Sequence, residues 1–215
     1  MIVAIIPARG GSRRIPRKNI RLFHGKPIIA HSIETAKASG LFDKIFVSTE
    51  DKEIGGIAID LGAEWWVRPS ELAEIGVPDC GTQEVARDVI ERMWRYHGQE
   101  PHLACCIYAT APLMTVYDIA RGFNAVADGG FDYAYAVDPD QIDAGQFYWS
   151  KVEALLARRP LNVARHQDNA YRVQLRREQC CDINEEFDWL RAERMYQDLY
   201  RESEMALGLR GIGIK

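Results

Sequence analysis

Ile2-Val3-Ala4-Ile5-Ile6-Pro7 runs directly into Ala8-Arg9-Gly10-Gly11-Ser12-Arg13-Arg14-Ile15-Pro16-Arg17-Lys18-Asn19. The first stretch is a short, continuous apolar run closed by proline, the pattern of a strand buried on both faces of a parallel sheet. The second is basic and glycine-bearing, and it falls where a loop leaves the carboxyl end of that strand, the place where open α/β sheets bind ligands. Glycine lets backbone N–H groups approach phosphate oxygens, and guanidinium and ammonium groups neutralise the charge of a polyphosphate. The loop has neither the G-x-x-x-x-G-K-[ST] nor the G-x-G-x-x-G order. It therefore reads as a triphosphate cradle of a different kind, and a solvated basic turn is the plain alternative. The first 33 residues carry seven Lys or Arg and no acid, while the whole chain has a formal net charge of −4. That asymmetry calls for a local anion and argues against a general nucleic-acid binder.

Outward from this unit the pattern alternates. Apolar residues at helical spacing predict a helix over 27–39 with Gly40 as its stop, then a strand at 44–48, a helix at 51–61 ended by Gly62, and a strand at 64–67. A helix over 82–96 with Thr82 as a candidate N-cap, a buried strand at 103–108 and a helix at 116–128 follow. Strands are expected at 133–137 and 146–149, and an amphipathic helix at 186–202 with the stripe Phe187, Leu190, Met195, Leu199. Alternation of this kind predicts one Rossmann-like α/β domain over 1–202, three layers with a mostly parallel sheet, and a tail at 203–215 that is mobile or used in association. The 215 residues suffice for one such domain. No apolar run spans a bilayer, and residues 1–7 lead to Arg9 where a signal peptide would have a cleavage site, so a cytoplasmic protein without membrane attachment is expected. Cysteines occur as the adjacent pairs Cys105-Cys106 and Cys180-Cys181 without a Cys-x-x-Cys, which reads as reduced thiols. Trp65, Trp66, Trp149 and Trp189 are expected in the core.

Several separated motifs together carry a resemblance: Ala8-Arg9-Gly10-Gly11-Ser12, Lys18-Asn19, Gly25-Lys26-Pro27, Val47-Ser48-Thr49, Arg68-Pro69-Ser70-Glu71-Leu72-Ala73 and Tyr108-Ala109-Thr110-Ala111-Pro112. They are similar to those of the acylneuraminate cytidylyltransferases, and residues 105–112 with Asp143-Ala144-Gly145-Gln146-Phe147-Tyr148-Trp149 most resemble the pseudaminic acid branch. The resemblance implies a nucleotidyltransferase fold and transfer of CMP from CTP to the anomeric hydroxyl of a nine-carbon 2-keto sugar acid, with release of pyrophosphate and with Mg²⁺ as cofactor. Such chemistry asks mainly for positioning and charge neutralisation. On this reading Ala8, Arg9, Gly10, Gly11, Ser12, Arg13 and Lys18 hold the triphosphate, with Arg9 and Lys18 catalytic. Asn19 holds the ribose, and Arg68, Gly81 and Thr82 face the cytosine. Tyr108, Thr110, Gln146 and Tyr148 meet the acceptor, and Asp182 and Asn184 hold the metal. A surface salt bridge for Arg68 is the plain alternative to a nucleotide contact.

The chain also departs from the family pattern. Only residues 138–144 join the strand at 133–137 to the Asp-Ala-Gly strand, where the family has a long segment that meets the sugar acid and a second subunit. A homodimer remains the expected partner arrangement if one forms. Cys181-Asp182-Ile183-Asn184 stands where Gln-Asp-Ile-Asp resembles the family's metal motif, so one carboxylate remains. Alternation puts residues 182 and 184 on one side of an extended segment. Asp143 and Asp168 are the candidate replacements for the missing ligand; a soft-metal site at Cys180 and Cys181 is not expected, because no histidine sits at ligand spacing and His166 is the nearest in sequence. Residues 175–181 read either as a bulging insertion or as a different course of the last strand. These changes predict weakened metal dependence or lost catalysis, and they keep open an alternative: a catalytically impaired relative that binds nucleotide or a partner without turnover.

Overall fold

The computed structural model of the chain describes residues 1–73, 81–157 and 169–206, with side chains to residue 200. The expected first strand is β1 (Ile2–Pro7), and its alternation is visible on two faces: Ala4 and Ile6 enter one buried cluster, Val3 and Ile5 another. After the basic loop come a 3-10 turn at Lys18–Ile20, a two-residue hairpin of β2 (Leu22–Phe23) with β3 (Lys26–Pro27), and α1 (Ile28–Ser39) ended by Gly40 in the left-handed region. Then follow β4 (Lys44–Thr49), α2 (Lys52–Asp60), β5 (Glu64–Val67), a single turn α3 (Ser70–Ala73), α4 (Thr82–His97) and β6 (Leu103–Ile107). The second half holds α5 (Val116–Ala127), β7 (Tyr133–Val137), β8 (Asp143–Lys151), α6 (Val152–Leu156), β9 (Ala170–Gln174) and α7 (Glu186–Ala206).

Seven strands form one sheet in the order β5-β4-β1-β6-β8-β7-β9. Every pairing is parallel except the two made by β8, which runs against both β6 and β7. Helices α1, α2 and α5 cover one face through Ile29, Ile33, Ile54, Ala58, Ile119 and Val126. Helices α4 and α6 cover the other through Ala86, Val89, Ile90, Met93, Val152 and Leu155. The mostly parallel three-layer fold predicted from alternation is therefore the observed one. The chain leaves β1 for β4 on one side and reaches β6 on the other, so the carboxyl ends of β1 and β6 flank the point where strand order reverses.

Several expectations are corrected. The β7–β8 connection is short because the two strands are antiparallel neighbours: Asp138 Oδ1 accepts from the N–H groups of Asp140 and Ile142 at 2.8 and 2.9 Å, tying a tight turn. Gly81, with extended backbone, is the N-cap of α4, and the Glu84 carboxylate accepts its N–H at 3.1 Å, so Thr82 is the first helical residue and not the cap. The stripe of α7 is Trp189 and Ala192 with Met195, Tyr196 and Leu199, whereas Phe187 and Leu190 are 74% and 56% exposed. Residues 175–181 leave the end of β9 as a loop around a 3-10 turn at Arg177–Gln179, with Leu175, Gln179 and Cys181 buried and residues 176–178 exposed. Trp149 and Trp189 are core residues as expected, and Trp65 and Trp66 are half-buried. Residues 203–206 continue α7, while the rest of the expected tail lies outside the described residues, as do Asp168 and His166. No described helix is long and apolar enough to cross a membrane.

Candidate functional site

A cleft of about 550 Å³ opens over the carboxyl ends of β1 and β6. One wall is the basic loop: Arg9, Ser12, Arg13, Arg14, Lys18 and Asn19. The opposite wall is Arg68 with Gly81 and Thr82 at the start of α4, and the floor is Tyr108, Ala109 and Thr110 after β6. Asn184 closes the remaining side.

The loop is anchored at several points, and each anchor has a sequence cause. Ala8 is buried and its N–H donates to Ser48 O at 3.0 Å, continuing the β1–β4 ladder. It belongs to the fold and leaves no N–H for phosphate, contrary to the expectation for this residue. Gly10 donates its N–H to Glu50 Oε1 at 2.7 Å, and a Cβ there would lie 2.5 Å from Asp51 Oδ2, which is why this position is glycine. Gly10 and the exposed Gly11 are not among the cleft's lining residues. Ile15 is fully buried with Phe23, Ile28 and Trp189, so α7 supports the loop from beneath. Arg17, in the left-handed region, ion-pairs with Asp51 and with Glu53 at 2.6 Å, and Asp51 also caps α2 by accepting from Glu53 N and Ile54 N. The Arg17 guanidinium holds the Asp51 carboxyl below its ordinary value. Asn19 reaches back from its buried position to donate to Arg9 O at 2.9 Å.

The remaining cations face the cleft. Arg9 and Arg13 have no ion pair among the described residues, so their guanidinium charge is available to a ligand. Lys18, half-buried, donates its Nζ to Ile183 O at 2.5 Å; burial lowers its pKa, and Arg14 and Arg9 push the same way against the pull of Asp182. Arg68 is only 5% exposed, with Nη2 on Ser48 O at 2.6 Å and Nε on Ser48 Oγ at 3.3 Å; burial lowers its pKa, opposed by Glu50. It is therefore a buried arginine that lines the cleft from the end of β5, held against Ser48 of β4, and the surface salt bridge weighed as an alternative is not what it makes.

On the fourth side Cys181 and Ile183 are buried against α7, so Asp182 and Asn184 share the open face, as alternation requires. Asn184 Nδ2 donates to Asp182 Oδ2 at 2.6 Å, and Asn184 Oδ1 accepts from Arg14 Nη2 at 2.7 Å. The amide oxygen expected to face a metal is thus turned to a guanidinium, and Arg14 is a cleft residue that the motif reading left without a role. Its signal was present in the run of basic residues, but only the fold brings it to Asn184, 170 positions away. Asp143, a candidate replacement ligand, has its carboxylate occupied by the Tyr148 hydroxyl and the Gly145 N–H. Of the expected acceptor residues, Tyr108 and Thr110 line the cleft. Tyr148 stands behind Tyr108. Gln146 is 2% exposed and donates Nε2 to Gln179 O at 2.5 Å, which commits it to the fold in place of a substrate contact.

A parallel sheet that carries a basic cleft at its switch point, between a glycine-bearing loop and a helix N-terminus, defines the chain as a nucleotidyltransferase-type α/β protein. The comparisons agree: a profile described as cytidylyltransferase matches residues 3–207, and the chain belongs to that family. The pseudaminic acid cytidylyltransferase of Campylobacter jejuni is 43% identical over 135 residues, 62% of this chain and 56% of the relative. The CMP-N,N'-diacetyllegionaminic acid synthase of Legionella pneumophila is 42% identical over 96 residues, 44% of this chain and 39% of the relative. The chain spans about half the length of the curated relatives it matches. Among solved structures, a CMP:2-keto-3-deoxy-manno-octonic acid synthetase in complex with CTP has the same fold, with a TM-score of 0.68 at 14% identity, covering 94% of this chain and 99% of that one.

Proposed function

We propose that this chain transfers CMP from CTP to the anomeric hydroxyl of a 2-keto sugar acid of the pseudaminic or sialic acid type, releasing pyrophosphate. The observation that carries the reading is the cleft itself. Two guanidinium groups without ion pairs among the described residues, those of Arg9 and Arg13, line the cleft with Lys18 and Ser12, at the carboxyl end of β1, where open α/β sheets bind ligands. Arg9, Arg13 and Lys18 bind the β- and γ-phosphates and stabilise the charge that develops on the leaving pyrophosphate. Arg68, with Gly81 and Thr82 at the N-terminus of α4, receives the base end, and Asn19 orients the ribose. Tyr108 and Thr110 receive the acceptor.

Asp182 fits a magnesium site of the kind that uses one carboxylate together with substrate phosphates and water, since its exposed side chain lies on the same open face as the cleft residue Asn184. Bound there, Mg²⁺ would supply neutralisation of the phosphate charge. One observation favours the second reading, a nucleotide-binding relative with impaired turnover: Asn184 presents its amide oxygen to Arg14 and not to the open cleft. The deciding experiment is pyrophosphate release from CTP with pseudaminic acid or N-acetylneuraminic acid, with and without Mg²⁺, alongside CTP binding by calorimetry. Turnover with either sugar supports transfer. Selective CTP binding without turnover at high protein concentration supports the second reading, and the absence of CTP binding overturns both.

A further inference from the structure

Behind the cleft floor lies a row of hydroxyls that ends on a carboxylate. Tyr148 OH is 2.9 Å from Asp143 Oδ1 and 2.7 Å from Oδ2, and the Gly145 N–H donates to Oδ1 at 3.0 Å. A phenol has one proton to give, and the short contacts to a carboxylate claim it. The Tyr148 oxygen then has only lone pairs left for Tyr108, whose hydroxyl oxygen is 3.5 Å away, so the proton between the two rings comes from Tyr108. Burial raises both phenols above their ordinary range, so each keeps its proton. Tyr108 in turn has only lone pairs to offer the cleft that it lines.

The position of this oxygen matters for the reaction. Gly145 has φ +60°, and a Cβ built on it would lie 3.6 Å from Tyr108 Cε2 and 3.5 Å from Asp182 Cγ. The Tyr108 ring and the Asp182 carboxylate therefore flank the same glycine, which places the Tyr108 end of the row beside Asp182, while Tyr148 shares a small cavity with Thr82 and Gln83 at the start of α4.

We infer that Asp143, acting through Tyr148, is a positioning residue that fixes the Tyr108 hydroxyl as a hydrogen-bond acceptor toward the cleft, so that the acceptor end selects a substrate presenting a hydroxyl or amide N–H there. The inference rests on the proposed transfer for the identity of the ligand. A site built to accept a hydrogen bond discriminates against analogues that lack the donor, because the buried acceptor is then left unpaired. Hydroxylated, acylaminated sugar acids supply such donors.

The test uses the full chain with CTP and pseudaminic acid and compares Tyr108→Phe, Tyr148→Phe and Asp143→Ala. Each variant is expected to raise the KM for the sugar about tenfold while the KM for CTP stays within about twofold, the unchanged CTP value also reporting an intact fold. Since Asp143 and Tyr148 act through Tyr108, adding Asp143→Ala or Tyr148→Phe to Tyr108→Phe should cause no further loss. Additive losses, or a CTP KM that moves as far as the sugar KM, overturn the inference. The row is also read without turnover, from the ring ¹³Cζ resonances of Tyr108 and Tyr148 assigned with the two Phe variants. Asp143→Ala should shift both, and a Tyr108 resonance that does not move overturns the inference. If the wild type releases no pyrophosphate, the transfer reading has failed and this spectroscopic arm still decides the row.

Discussion

Arg9 and Asp51 sit within the same small region and have opposite roles. Arg9 presents its guanidinium to the cleft without an ion pair among the described residues, so the fold gains nothing from that charge. Arg9→Ala should therefore leave the unfolding free energy nearly unchanged while weakening CTP binding at least tenfold, the scale of about 1.5–3 kcal/mol for a charge-assisted hydrogen bond. Calorimetric titration alongside urea denaturation separates the two quantities. Asp51 has the reverse character: it caps α2, pairs with Arg17 and lies against Gly10. Asp51→Ala should cost about 1 kcal/mol or more from the cap alone. The Arg17 hydrogen bond depresses the Asp51 carboxyl below 3.8, so its contribution is fully present above that pH and is lost as pH falls through the lowered folded value. Denaturation across the acid range should show the gap between wild type and Asp51→Ala narrowing below pH 3.8. A gap constant to low pH would mean that Arg17 and Asp51 are not coupled in solution. At this scale the sequence was informative about residue type and silent about pairing. The basic loop announced an anion, yet which of its cations are spent on Asp51, Glu53 and Asn184 depends on contacts to residues far along the chain.

At the scale of elements, α7 is the unexpected participant. It was legible as an amphipathic helix, but the stripe was misplaced by Phe187 and Leu190, because a helix with apolar residues at many positions allows more than one face and only packing selects among them. The selected face puts Trp189, 1% exposed, against Phe23, with the Arg21 guanidinium 4.3 Å over its ring. Arg21 also pairs with Glu186 at 2.6 Å, and Ile15 of the loop is buried in the same cluster. Trp189→Ala should destabilise the protein by about 3–5 kcal/mol through transfer and cavity terms. It should also weaken CTP binding, although Trp189 does not line the cleft, because the loop loses its support. Denaturation and calorimetry under conditions where the variant is still folded check both. Unchanged CTP affinity in a folded Trp189→Ala would mean that the loop keeps its shape without α7. The hairpin of β7 and β8 is a second element-scale lesson: the short connection read from the sequence is a tight turn, and only the fold shows that it joins antiparallel neighbours, which need no more than that.

For the whole molecule, ligand binding and folding are linked, since the cleft exists only when β1, β6, the N-terminus of α4 and the segment at 182–184 are together. CTP at a hundredfold excess over its Kd should stabilise the native state by about 2.7 kcal/mol, and nucleotides that do not bind should leave the melting temperature unmoved. Thermal unfolding with CTP, UTP, ATP and GTP reads this directly, and an equal shift with all four would deny base selectivity to Arg68 and the α4 N-terminus. What the sequence by itself determined was the layer architecture and the edge of the sheet at which the cleft opens. A buried apolar run followed by a glycine-bearing basic loop, with helix-period and strand-length patterns alternating after it, leaves few arrangements besides a parallel sheet with its ligand at the carboxyl edge. These signals are local, written in the spacing of residues within one segment. What only the tertiary structure decided was every pairing between distant segments: the antiparallel course of β8, the burial of Gln146, the turning of Asn184 toward Arg14, and the row from Asp143 through Tyr148 to Tyr108. Local spacing fixes which face a side chain occupies on its own element, but the partner it meets depends on how elements pack, and that is set by the sum of many weak contacts across the core that no single stretch of sequence contains.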